Sequence, residues 1–354
     1  MSFEINGDML ALARESRDLT QTALAAESGV PHYTISRVES RLTRHIREDY
    51  LDRIASVTGY SRAFFTLADG LHGFGTSCTY HRRRQATLVH ELRLALARIN
   101  VRRIQIFRLL EGMDINSPYK MRQFDIDEND SDPEAIAALV RAEWRLPFGP
   151  IRNLIRTIEH AGGIVVITDL GTQRIDALSQ WLPGLPPMFF LNSGIPADRM
   201  RYSLAHELGH IIMHSSPSEC LEREADQFAA AFLMPQHDIV SELDRIRIAD
   251  LARLKSYWRV SMQALVRRAR DLGKITQSQY TTAFEQFSRM GYRKNEPVEI
   301  EPEMPSTLER LIEARRNHGG YSDAELAEIA MISEEEFAAV YLGRPPGLRL
   351  VDSG

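Results

Sequence analysis

Apolar residues fall at helical spacing along most of the chain, and one central stretch breaks that rhythm. Met9, Leu10, Leu12 and Ala13 begin the first periodic helix. A second starts at Leu19-Thr20-Gln21, where Thr20 can cap and Leu24 and Ala25 face inward. Gly29 closes that helix as a C-terminal glycine. Val30-Pro31 opens a third helix, with proline near its first turn. Ile35 and Val38 pack back, leaving His32, Tyr33, Thr34, Ser36 and Arg37 partly outward. A short helix, a glycine turn and a second helix is helix–turn–helix spacing.

Beyond this unit, residues 66–80 hold several glycines and few helix formers, and read as a linker. Residues 81–111 form a basic helical stretch with Arg82, Arg83, Arg84, Arg93, Arg98, Arg102, Arg103 and Arg108. It could extend a DNA footprint, or dock as a solvated face on an acidic part of the same protein. Asp125, Asp127, Glu128, Asp130 and Asp132 mark an acidic boundary. A helix then runs from Pro133 through Trp144 and another from Pro150 to His160, before a Gly162-Gly163 turn. Here the period changes. Ile164–Ile167 and Met188–Leu191 are short buried-strand candidates. Phe189 to Asn192 is the candidate edge that could take an extended peptide, and core packing explains its apolar residues equally well. Past Pro235 the pattern is helical again, with an amphipathic basic helix at 260–270 and a proline-rich, acidic linker at 295–305. Residues 306–345 echo the first unit: Leu326-Ala-Glu-Ile-Ala330 and Ile332-Ser333 stand like Leu24-Ala25 and Val30-Pro31. Ser333-Glu-Glu-Glu336 would repel phosphate, so such a unit should bind protein rather than DNA.

The densest chemistry lies in His206-Glu207-Leu208-Gly209-His210. Residues four apart share a helix face, so His206 and His210 can turn both imidazoles to one ion. Glu207 stands beside them as a general base for water. A catalytic zinc takes three protein ligands. Glu222 is the candidate third, on a helix at 221–235 whose Ala225, Phe228, Ala229, Phe232 and Leu233 make an apolar stripe. Asp226 lies one turn on, so one of this pair can bind metal while the other orients a histidine. Glu224 points elsewhere on the helix and is the weaker candidate. His214 continues the four-residue series and reads as a support for a ligand.

Composition narrows the setting. With 354 residues, two or three domains are expected. No apolar run is long enough to span a membrane, and the N-terminus lacks a signal-peptide pattern. Cys78 and Cys220 make no disulfide framework, which fits a reducing cytoplasm. A net charge of −5 disfavours broad nucleic-acid affinity but leaves room for a small DNA-reading module.

Two resemblances add to this. Arg201-Tyr-Ser-Leu-Ala-His-Glu-Leu-Gly-His-Ile-Ile-Met-His214, Glu222-Arg-Glu-Ala-Asp-Gln-Phe-Ala229 and Leu233-Met-Pro235 resemble the ImmA/IrrE family of zinc metallopeptidases. So do Gly162–Thr168, Asp176–Ser179 and Pro187–Asn192 upstream. The resemblance implies His206, His210 and Glu222 as metal ligands, Glu207 as catalytic base, and cleavage of a repressor or regulatory partner. Leu19 to Ser40 resembles the XRE, phage-repressor-like helix–turn–helix family. That implies base contacts from His32, Tyr33 and Arg37, with Thr34 and Ser36 on the same helix. It implies a phosphate contact from Gln21 and backbone contacts from Arg41 and Arg44. Arg37 suits a guanine edge best.

The expected fold is mainly α with a small β-sheet in a zincin-like peptidase domain (α+β), an all-α helix–turn–helix domain before it and a helical region after it. The expected divisions are 1–68 (DNA-binding), 69–125 (basic helical linker), 126–240 (peptidase), 241–300 (helical extension) and 301–354 (C-terminal helices). The expected function is a cytoplasmic DNA-binding regulator carrying a Zn2+ endopeptidase. Its partners would be a double-stranded operator, a repressor- or antitoxin-like protein substrate and a second copy in a homodimer. One rival is a non-proteolytic repressor or antitoxin that pairs with a toxin and uses the peptidase fold to bind or sense. The other is a peptidase whose N-terminal module binds protein.

Overall fold

A computed structural model of the chain describes residues 2–70, 86–113, 116–124, 132–214, 220–244 and 247–344. Arg82, Arg83, Arg84 and Cys78 lie outside the described residues, as do Asp125, Asp127, Glu128 and Asp130. Among the described residues, no helix is long and apolar enough to cross a membrane.

The N-terminal unit packs helices α1 (Gly7–Ser16), α2 (Gln21–Ser28), α3 (His32–Glu39) and α4 (Glu48–Thr58), followed by a 3-10 turn at Arg62–Thr66. Strand β1 (Ser2–Glu4) pairs antiparallel with β2 (His45–Arg47), an addition that the apolar pattern did not signal. The local chemistry is as expected. Thr20 Oγ1 accepts from the Ala23 amide at 3.0 Å, and Gly29 ends α2 at φ 64°. Leu24, Val30, Ile35 and Val38 are fully inside. Three residues, Gly29 to Pro31, therefore turn the chain from α2 into α3.

The described part of the basic stretch is the long helix α5 (Ala86–Leu110), and of the two readings of that stretch, docking on the same protein holds for Arg98 and Arg108. Leu92, Ala95, Ile99, Ile104, Ile106 and Leu109 are buried, and α5 packs along α1. Its arginines reach sideways to acceptors of this same protein. Arg103 donates to the Gly70 carbonyl, Arg108 to Asp69 and Arg98 to Asp169. Long aliphatic stems let these residues cover apolar surface while their heads find polar partners.

The central part contains α6 (Pro133–Glu143), α7 (Leu154–His160), β3 (Ile164–Thr168), β4 (Ala177–Gln180), β5 (Met188–Asn192), α8 (Ala197–Met213) and α9 (Leu221–Leu233). Helices α10 (Gln236–Ile239), α11 (Ile248–Trp258), α12 (Met262–Asp271) and α13 (Gln277–Arg289) follow. The three central strands run in the order β3-β5-β4, with β5 parallel to β3 and antiparallel to β4. The expected edge at Phe189 to Asn192 is therefore the middle of the sheet, and all of β5 is buried. The edge beside α8 is β4. Period-two alternation divides the sheet. Ile164, Val166, Leu178, Met188 and Phe190 join the core of the N-terminal unit and α5. Val165, Ala177, Phe189 and Leu191 join a second core under α8 and α9.

The segment 295–305, expected to be a solvated linker, is a strap. Glu296 accepts from Lys255 Nζ at 2.7 Å and from the Met262 amide at 2.8 Å. Glu303 is buried, ion-paired with buried Arg201 of α8, and accepts the Ile155 amide at 2.9 Å. Beyond it, Glu159 of α7 accepts the Ser306 and Thr307 amides at the start of α14 (Thr307–Gly319).

Helices α15 (Asp323–Ile329) and α16 (Glu334–Tyr341) repeat the geometry of α2 and α3 residue for residue. Ser322 caps where Thr20 caps, and Met331 at φ 58° stands for Gly29. Leu326, Ile332 and Phe337 are buried like Leu24, Val30 and Ile35. This second unit docks on the first. The Ser61 amide donates to the Met331 carbonyl at 3.0 Å, and Arg17 pairs with Glu336 at 2.7 Å. The two ends of the chain thus close one core around α5.

Gly209 sets how closely α8 and α9 approach. A Cβ there would stand 3.1 Å from Phe228 and 3.2 Å from the Ala225 Cα. Gly209→Val should lower stability by about 1–3 kcal/mol through overpacking, read from urea unfolding. An unchanged midpoint would remove this packing argument.

Candidate metal centre

Helix α8 carries His206 and His210 on the face turned to α9, and α9 carries Glu222 in its first turn. The two imidazole Nε2 atoms lie 3.0 Å apart. Glu222 places one carboxylate oxygen 3.5 Å from each. The three ligand atoms all lie within 4.8 Å of one another, a spacing that one ion with bonds of about 2.0–2.1 Å to nitrogen can bridge.

Each imidazole is also held from behind. His206 Nδ1 meets Asp226 Oδ1 at 3.0 Å, and His210 Nδ1 meets His214 Nδ1 at 2.9 Å. His214 Nε2 in turn reaches Glu224 at 3.2 Å. With Nδ1 donating on both rings and the Nε2 proton of His206 displaced, both Nε2 lone pairs point to the same place. Asp226 and His214 therefore sit where the sequence puts supporting residues. Glu224, the weaker candidate for a ligand, instead faces His214. The set of two imidazoles and one carboxylate, with its outer partners, fits a divalent ion.

Electrostatics follow from burial. It raises the Glu207 carboxyl to about 7, with the charge on His206 and the Ser179 hydroxyl working the other way. Ser179 Oγ donates to Glu207 Oε2 at 2.5 Å from strand β4. A base poised near neutrality suits proton transfer at physiological pH. Burial opposes charge on His206, but hydrogen bonds to Asp226 and Glu222 prevail and push it up to about 10. Burial, and then the nearby His206, hold His214 down at about 4.

Ser179 lies within a block carrying the family resemblance, but its contact with Glu207 was not legible, since 28 residues separate them. Asp176, on the same approach to β4, accepts from Arg199 and Ser203 of α8. Tyr202, one turn before His206, donates to the Asp226 carbonyl at 3.3 Å. No spacing rule points to these contacts, which depend on how β4 crosses α8.

The DNA-facing candidates divide into two groups. His32, Tyr33 and Arg37 are exposed on α3, with Thr34 and Ser36 half-buried beside them. Gln21 instead donates to Glu39 at 2.7 Å, and Arg41 makes a two-pronged pair with Asp8. Both are tied to carboxylates of their own unit.

Asp226→Asn should weaken divalent-ion affinity about 10–100-fold while leaving the fold intact, read by chelator competition. Unchanged affinity would show that Asp226 does not support the site. An ion must displace a proton from His206, whose raised pKa keeps it charged at neutral pH. Affinity should therefore fall between about pH 8 and pH 6; a flat profile in the same competition assay would contradict this.

Family models locate two domains. The model for the IrrE N-terminal-like domain, peptidase family M78, matches residues 159–270. The helix-turn-helix model matches residues 10–65. No curated protein matches the chain. The first match holds both ligand-bearing helices and runs on through α12, while the second holds α2 and α3. The chain thus joins an XRE-type helix–turn–helix domain to an IrrE N-terminal-like domain of the M78 peptidase family.

Proposed function

We propose that this chain is a cytoplasmic DNA-binding regulator whose M78 domain is a zinc endopeptidase acting on a repressor or regulatory partner protein. The observation that carries the reading is the convergence of His206, His210 and Glu222 beside Glu207, a buried base that a binding domain does not need. His206, His210 and Glu222 would hold the ion. A divalent ion bound there supplies Lewis-acid polarisation of a carbonyl and eases deprotonation of water.

The remaining work falls to side chains. Ser179 fixes one oxygen of Glu207, so the other can accept the proton of an attacking water. Glu207 then returns that proton to the leaving amine. Among the described residues strand β4 pairs with β5, and its four residues are buried. A substrate peptide that reaches Glu207 would pass beside Ser179. In the N-terminal unit, α3 would enter a major groove with His32, Tyr33 and Arg37 toward base edges.

Glu207→Gln should keep the metal and lose cleavage, whereas His206→Ala should lose both. Metal content and newly formed protein N-termini in cells carrying wild type or Glu207→Gln check this, with and without DNA damage. Identical termini under every stress would replace the peptidase with the binding or antitoxin-like module. Arg37→Ala should cost about 1–3 kcal/mol of specific DNA binding. An unchanged footprint would remove the base contact.

A further inference from the structure

A cavity of about 390 Å³ opens between the start of α2 and the outer flank of α5. Thr20, Gln21 and Thr22 border it on one side, and His90 and Arg93 on the other. His32, the first residue of α3, also lines it, so the cavity is continuous with the face assigned to DNA. The His90 and Arg93 side chains are exposed, at 66% and 62%. They stand next to the helix that crosses the duplex backbone in a helix–turn–helix unit.

The charges facing them are few and weakly engaged. Arg93 lies 4.0 Å from Glu15, and His90 lies 3.1 Å from Asp18. Glu15 is only partly exposed and also meets Arg14 at 3.5 Å, so its contact with Arg93 is the longer of the two, and the exposed His90–Asp18 pair holds loosely. Arg14, also at the cavity, is committed to Glu39 and to the Leu19 carbonyl. Glu39 in turn is occupied by Arg14 and Gln21. Arg93 is therefore a cation that can turn to an incoming anion without opening the core.

We infer that this cavity seats a backbone phosphate of the duplex that α3 reads, with Arg93 as its main cation and His90 beside it. The inference rests on the DNA-binding reading and extends the footprint from the helix–turn–helix domain onto α5. A free phosphate ion has the same chemistry, and the experiment separates the two sources.

The test is fluorescence anisotropy of the full chain on a random-sequence duplex of about 30 base pairs, between about 50 and 200 mM salt. Phosphate contacts do not need the operator. Arg93→Gln should weaken binding at each salt concentration and reduce the slope of log affinity against log salt by about 0.9. Arg93→Lys should restore that slope, and Arg289→Gln on the distant helix α13 should leave it alone. Glu15→Gln should tighten binding by removing a competing carboxylate. If Arg93 served only its pair with Glu15, the two substitutions would act alike, and that result overturns the inference. An unchanged slope for Arg93→Gln, in a chain whose wild type binds, overturns it and spares the DNA-binding reading. A wild type with no salt-dependent binding to this duplex overturns the inference, and the DNA-binding reading then stands or falls on the Arg37→Ala footprint. Calorimetric binding of inorganic phosphate that Arg93→Gln abolishes, with the DNA slope unchanged, assigns the cavity to a free anion instead.

Discussion

The molecule is organised by the need to cover both faces of a three-stranded sheet. A strand turns alternate side chains to opposite sides, and here both sides are apolar. Val165, Phe189 and Leu191 seat the helix that carries His206 and His210. Ile164, Val166 and Phe190 instead meet the core built around α5. A three-stranded sheet thus has the helix of His206 and His210 on one side and the core of the helix–turn–helix domain on the other. Each half completes the burial of the other.

Within the metal half, the main electrostatic problem is the concentration of carboxylates and imidazoles in a poorly hydrated place. An uncompensated buried charge is expensive. The chain compensates pairwise, with Ser179 on Glu207, Asp226 behind His206, and Glu224 behind His214. The same logic appears one turn earlier on α8, where buried Arg201 meets buried Glu303 from the strap. Burial and the nearby Arg259 lower the Arg201 pKa to about 9. The helix that presents the ligands is thus fixed at its start by a residue about a hundred positions further along the chain.

What the sequence made legible was local. Thr20, Gly29 and Ile35 announce their turn through capping, a left-handed residue and a core position, all short-range effects. His206, His210, Glu222 and Asp226 announce theirs through helical spacing. What it concealed depended on distant partners. The arginines of α5 left two readings open, a DNA footprint or docking on the same protein, because the sequence does not show Asp69, Asp169 or the Gly70 carbonyl waiting for Arg108, Arg98 and Arg103. Met188–Asn192 suggested an edge because strand order depends on β4, whose four residues carry little pattern. Glu303 lay in a segment of prolines and acids, a composition that usually means solvent, and nothing nearby hinted at Arg201.

The C-terminal helix pair α15–α16 has a consequence for how the protein is made. Phe337 and Tyr341 belong to the same core as Met9, Leu24 and Ile35. A nascent chain is delivered from its N-terminal end at about 5–20 residues per second. The DNA-reading helices therefore leave the ribosome well before the residues that finish their core. Until α16 arrives, apolar surface on α5 and beside Tyr60 stays uncovered. Rigid presentation of α3 is thus a late event in biogenesis, tied to the arrival of the last helices of its core.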